Sequence, residues 1–114
     1  MIRAKDKSNK SYVYIYYIYE AYNYSLNKVC TYYLSSCDSY TGLLVLKEDE
    51  IEDLEILVDN YIRIAEFQPS AGQKDLIHPV LYHFLEDDWQ IYEGIVEGVE
   101  EAWLKFEKEL NHRP

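Results

Sequence analysis

The side chains best able to do chemistry in this chain are its carboxylates. They outnumber the basic residues 21 to 11, for a net charge of −10 and a pI near 4.6. Their placement is uneven. Residues 47–67 hold eight acids against two bases, and residues 86–114 hold nine against three. In the first segment Glu48, Glu52, Glu55 and Asp59 recur three or four residues apart; in the second stand Glu93, Glu97, Glu100 and Glu101. On a helix, residues three or four apart have Cβ atoms about 5–6 Å from one another, comparable to the phosphates along a nucleic-acid strand. A rigid row of this kind would enter a basic, nucleic-acid-binding groove of a partner protein and be driven by counterion release. The plainer role is solvation. Solubilising faces usually mix both signs, however, and few lysines are interleaved here.

Tyrosine is the second resource, at 13 of 114 residues, and both tryptophans lie in the second acidic segment. Tyrosine offers a large contact area at low entropic cost and is enriched in binding hot spots. The run Tyr12-Val13-Tyr14-Ile15-Tyr16-Tyr17-Ile18-Tyr19 cannot bury every hydroxyl cheaply. Tyr14 and Tyr16 are therefore expected at the surface, beside the acidic rows, with core packing accounting for much of the remainder.

Other constellations carry less. His78 and His83 are five apart, the wrong spacing for one helix face, and Pro79 intervenes. No metal-ligand pattern surrounds them, and none surrounds Cys30 and Cys37. Gly42, Gly72, Gly94 and Gly98 are too scattered to cradle a phosphate. The expectation is no catalytic residue, no metal and no cofactor. Gly94, Gly98 and Ala102 recur every four residues and would line one helix side, permitting close approach by another element or by a second copy of the chain.

The elements that must position these groups follow from periodicity. Ile51, Leu54, Val58, Tyr61, Ile62 and Ala65 fit one face of a helix over 48–67, with Asp49 and Glu52 as a capping pair and Pro69 beyond its end. Leu81, Phe84, Leu85, Tyr92, Ile95, Val99, Trp103, Phe106 and Leu110 trace a second helix over 79–110, with Pro79 in its first turn. Residues 12–46 are rich in Tyr, Val, Ile and Thr and read as three strands, at 12–22, 29–34 and 43–46. The fold class expected is α+β: a three-stranded antiparallel sheet (residues 12–46) packed against the two amphipathic helices. A helical reading of 12–34 competes with the sheet, because periodicity there is poor. Residues 1–10, four bases and one acid, read as a mobile basic tail ahead of a single domain over 11–114.

The charge balance disfavours nucleic acid and anionic membranes as direct partners, since both are polyanions. No apolar run reaches the roughly 20 residues of a membrane span. The start resembles a secretion signal only in outline: five of residues 12–19 carry phenolic hydroxyls and no small-residue cleavage pattern follows. A reducing cytoplasm is expected. The function that fits is a small acidic, non-enzymatic binding or inhibitor protein. It would occlude the basic surface of a nucleic-acid-handling enzyme, by nucleic-acid mimicry. In size and charge alone the chain is similar to acidic inhibitors of phages and mobile elements and to immunity proteins of nuclease toxins. The competing reading is a housekeeping α+β domain, dimeric through the Gly94/Gly98/Ala102 stripe, whose acidic faces only solvate it.

Overall fold

A computed structural model describes residues 1–57, 60–65 and 74–112. In chain order the elements are β1 (Ile2–Asp6), β2 (Tyr12–Asn23), β3 (Lys28–Cys37), β4 (Tyr40–Lys47), a 3₁₀ turn (Glu48–Glu50), β5 (Ile51–Ile56), β6 (Ile62–Ala65), β7 (Lys74–Ile77), α1 (Pro79–Asp87), α2 (Trp89–Glu97) and α3 (Glu100–His112). The fold is α+β, with an antiparallel sheet flanked by helices. The described residues form seven strands and three helices rather than three and two.

All seven strands belong to one sheet, whose main order is β4-β3-β2-β1-β5. The long strand β2 is shared on its second side. Its first residues pair with β1 (Ile2↔Ile15 to Lys5↔Tyr12), and Tyr17 and Ile18 pair with β7 (Ile77 and Leu76), which carries β6. Three strands were expected over 12–46, and β2, β3 and β4 are those strands, each longer than the aromatic and β-branched runs suggest. Residues 2–6 are not a tail. Ile2 and Ala4 alternate with Arg3 and Lys5 and are fully buried, so β1 has the period of two that a strand with one covered face requires.

In place of the helix expected over 48–67, the described residues there form the 3₁₀ turn and two strands, β5 and β6, which pair with β1 and β7 respectively and not with each other. β1 needs a partner on its open side, and β5 supplies it in a register that sets Arg3 opposite Glu55 and Lys5 opposite Glu52. Cross-strand pairing outweighs a local helical period that carries no hydrogen bonds of its own until a helix nucleates. The apolar set sorts accordingly: Ile51 and Tyr61 are buried, while Leu54, Ile56 and Leu57 stay exposed. Glu50, rather than Asp49 or Glu52, caps the turn, its carboxylate accepting from the Lys47 N–H at 2.9 Å. β5 is an outer strand, and Asp53 within it adopts a left-handed φ of 53° where the ladder to β1 shifts register between Arg3 and Lys5.

The second expected helix breaks twice. Asp88 closes α1, donating its backbone N–H to Phe84 O, and opens α2, its carboxylate accepting from the Ile91 N–H at 3.3 Å. Gly98 ends α2 at φ 79°, the left-handed conformation that glycine adopts without Cβ strain. Its Cα lies against Thr41 and Gly42 at the start of β4, where an added side chain would collide with backbone. Gly94 faces Ala102 so closely that an added Cβ would sit 2.7 Å from the alanine methyl. The small-residue stripe is thus consumed inside the chain, packing α2 on α3 and their corner on β4.

Each side of the sheet has its own apolar cluster. On the helix side Tyr16, Leu34, Leu43 and Ile77 pack against Val80, Leu81, Phe84, Ile95, Ala102 and Phe106. On the other side Ile2, Ala4, Val13, Ile15, Tyr33, Leu46, Ile51 and Tyr61 form a second cluster. The Tyr61 hydroxyl ties that cluster together, accepting from the Ile2 N–H at 3.0 Å and donating to Ile15 O at 2.5 Å. A bulge divides β2 between the two clusters. The register to β3 shifts between Ile15 and Tyr17, so Tyr16 and Tyr17 both pack with the helix-side cluster while Ile15 and Ile18 pack with the other.

Candidate interaction surface

The carboxylates picked out by spacing divide into two sets. On the β5 side they are neutralised. The Arg3 guanidinium donates to Glu55 at 2.8 Å, Lys10 pairs with Glu52, and Lys5 Nζ lies 3.8 Å from Asp53. The pairing works in both directions: the Lys10 ammonium holds the Glu52 carboxyl below its usual range, and Glu55 raises the Arg3 guanidinium. Glu48 is exposed on the 3₁₀ turn. Asp59 lies outside the described residues. The first expected acidic row is therefore not a free negative face, because the basic start of the chain is zipped against it.

On the helix side the carboxylates stand differently. Glu93 and Glu97 are one turn apart on α2, and Glu100 and Glu101 open α3, where negative charge favours the helix N-terminus. All four are exposed. Among the described residues no Lys or Arg pairs with Glu93, Glu97 or Glu100, and Lys105 reaches only to 3.9 Å from Glu101. Glu93 is held in place from its own helix. Trp89 Nε1 donates to its carboxylate at 2.6 Å, and the exposed indole stacks on Tyr92 at 5.2 Å between centroids.

The tyrosines chosen from the sequence do not join this surface. Tyr16 is only 6% exposed, edge-on to Phe106 (5.1 Å) and His78 (5.4 Å); burial pushes its hydroxyl pKa up. Its burial follows from the bulge, which turns it under the helices. Tyr14 is half-buried against the same cluster. Their neighbours Tyr17 and Tyr19, half-buried like Tyr14, lie beside α2 instead. The register aligns Tyr17, Leu34 and Val45 in one row across β2, β3 and β4, with Tyr19 and Tyr32 opposite each other in the next. Tyr19 contacts Tyr17 (5.1 Å) and stacks on Tyr32 (5.6 Å).

Tyr17, Tyr19, Leu34 and Val45 form the sheet wall of a groove of about 480 Å³. Tyr92, Glu93, Val96 and Glu97 of α2 form the facing wall. Tyr92 is partly buried there near Tyr19, and that desolvation raises its hydroxyl pKa. The volume lies in the range of small-ligand clefts. The groove combines aromatic faces, aliphatic walls and two carboxylates. No motif announces it, but Trp89 and Glu93 at i, i+4 and Tyr17 and Tyr19 at i, i+2 are signals of shared faces that the sequence does carry.

The remaining candidates lie outside this groove. His78 is 2% exposed and caps α1, its Nδ1 accepting from the Val80 N–H at 3.1 Å between the rings of Tyr16 and Tyr61. Burial, aided by the nearby chain amino terminus, lowers its pKa to about 4. His83 pairs with Asp87 one turn on, at 3.0 Å. Cys30 and Cys37 are free thiols, and among the described residues no three His, Cys, Asp or Glu side chains converge as metal ligands. No described helix is long and apolar enough to cross a membrane. Comparison with family models, with curated proteins and with solved structures finds no match to this chain.

Proposed function

We propose that this chain is a non-enzymatic binding protein of the cytoplasm that covers a basic, nucleic-acid-binding surface of a partner protein. Its contact face is formed by α2 and the start of α3, whose carboxylates take the place of phosphates. One contrast carries the reading. The chain matches the acids of β5 with three of its own bases, yet leaves Glu93, Glu97 and Glu100 without a described basic partner. Like charges one turn apart destabilise a helix by a few tenths of a kcal/mol, a cost that solvation alone does not require. Unpaired charge of one sign speeds association with an oppositely charged partner, and aromatic contacts slow release. The same field repels nucleic acid itself.

The test is quadruple charge reversal at Glu93, Glu97, Glu100 and Glu101 to Lys, with Glu52→Lys and Glu55→Lys as the comparison. Partners are captured over a salt series. The helix reversals should lower affinity by at least about tenfold and remove its salt dependence. Capture that is indifferent to both the reversals and the salt would mean that the acidic faces only solvate the protein.

A further inference from the structure

We infer that the groove between α2 and the β2–β4 face is a seat for an arginine side chain of the basic partner. This rests on the reading above and narrows it to one contact. The argument is charge complementarity inside an aromatic-walled cavity. Glu93 and Glu97 stand at i and i+4 on the helix wall, and Tyr17, Tyr19 and Tyr92 bring aromatic rings to the lining, one face of Tyr19 being stacked on Tyr32 and one of Tyr92 on Trp89. Cations bind over such faces, more strongly when water is displaced. Glu93 is already oriented by the Trp89 indole N–H, so little freedom is lost when it accepts from a ligand.

The walls decide which cation. Arginine is planar, weakly hydrated, able to stack on a ring and to present a fork of donors to a carboxylate; lysine is a compact, strongly hydrated point charge. Leu34, Val45 and Val96 give the aliphatic stem an apolar bed. A groove lined this way, with carboxylates in its helix wall, discriminates by shape and hydration as well as by sign.

The experiment titrates the ¹⁵N-labelled chain with acetyl-Gly-Arg-Gly-amide, with its lysine analogue and with its citrulline analogue, which keeps the shape but not the charge. The arginine peptide should saturate, moving amides of residues 17–19, 34, 45 and 92–97. Citrulline should weaken binding about tenfold, and lysine several-fold. Glu93→Gln with Glu97→Gln should reproduce the citrulline loss on an intact fold. Val45→Lys, at a half-exposed position, should abolish binding by placing a positive charge in the seat. Absence of saturable shifts overturns the inference. So does equal binding of the citrulline or lysine peptide, or a response centred on Glu100 and Glu101 instead of the groove. If the groove is silent while the helix-face reversals still abolish a salt-sensitive partner, the arginine seat falls and the acidic face stands. If those reversals change nothing either, both fall.

Discussion

The two acidic regions of this molecule have the same charge and opposite circumstances. β5 lies against β1, and the antiparallel register delivers Arg3 to Glu55 and Lys5 to the neighbourhood of Glu52 and Asp53. Among the described residues Glu93, Glu97 and Glu100 meet no such complement, and they project from helices whose other sides are packed into the core through Ile95, Ala102 and Phe106. Segment charge therefore says little about surface charge until the pairing of strands is known. An acidic strand beside a basic one is nearly neutral. An acidic helix over an apolar core stays a field source.

The strongest way to break this comparison is to remove β1. A chain lacking residues 2–6 loses the fully buried Ile2 and Ala4 and strips β5 of its ladder and of two of its counter-charges, Arg3 and Lys5. Small domains have only about 5–15 kcal/mol of stability, so this chain should show no cooperative urea transition by circular dichroism. A mobile tail could be cut without effect.

Next is the corner that holds the helix acids in place. Gly98→Ala forces a Cβ into a left-handed residue and against the Thr41 backbone. It should cost about 2–4 kcal/mol, read from the denaturation midpoint. Gly94→Ala should cost less, because gained helix propensity offsets part of the clash with Ala102.

Acid separates the two sides by titration. His78 carries a folded pKa of about 4 against 6.5 when unfolded. The native state thus binds fewer protons, and its contribution is complete above pH 6.5 and lost as pH falls toward 4. That amounts to about 3 kcal/mol, visible as a slope in stability across this window. His78→Asn keeps a capping acceptor and should flatten the slope. Below that window the depressed Glu52 adds a loss of the same sign, as protonation breaks its pairing with Lys10.

The smallest effects sharpen the contrast most, because they have opposite signs. Glu97→Gln relieves the Glu93–Glu97 repulsion and should stabilise the fold by a few tenths of a kcal/mol. Glu55→Gln removes the Arg3 pair and should slightly lower the urea midpoint, an effect that fades as salt rises.

Much of this organisation was legible in the residues. The β-branched and aromatic content of 12–46 pointed to three antiparallel strands, and the amphipathic stripe of 79–110 to helix, because both patterns are local. What misled was the segment 48–67. Ile51, Leu54, Val58 and Ile62 fit a helical period, and only the existence of β1 as a neighbour makes the extended form win. The same omission turned β1 into a tail, since four bases in ten residues look solvated until the acids that pair with Arg3, Lys5 and Lys10 are found 42 to 52 residues away. Tyr16 was misplaced for a related reason. Strict alternation puts Tyr14, Tyr16 and Ile18 on one side, whereas the bulge at Tyr16 shifts the odd-numbered Tyr17 and Tyr19 beside it. Of the candidate residues, Glu93, Glu97, Glu100 and Glu101 stand exposed on α2 and α3, and the groove beside them required the register of three strands to assemble it.

The left-handed Asp53 has a consequence for how copies of this chain behave toward one another. β5 ends the sheet with Leu54 and Ile56 uncovered, as is Leu57 just past it, a composition that invites a stranger's strand to dock along its outer rim. The reversed dihedral at Asp53 interrupts the run of amides and carbonyls that such a visitor would have to match. A turned residue of this kind makes that rim a poorer template for another strand.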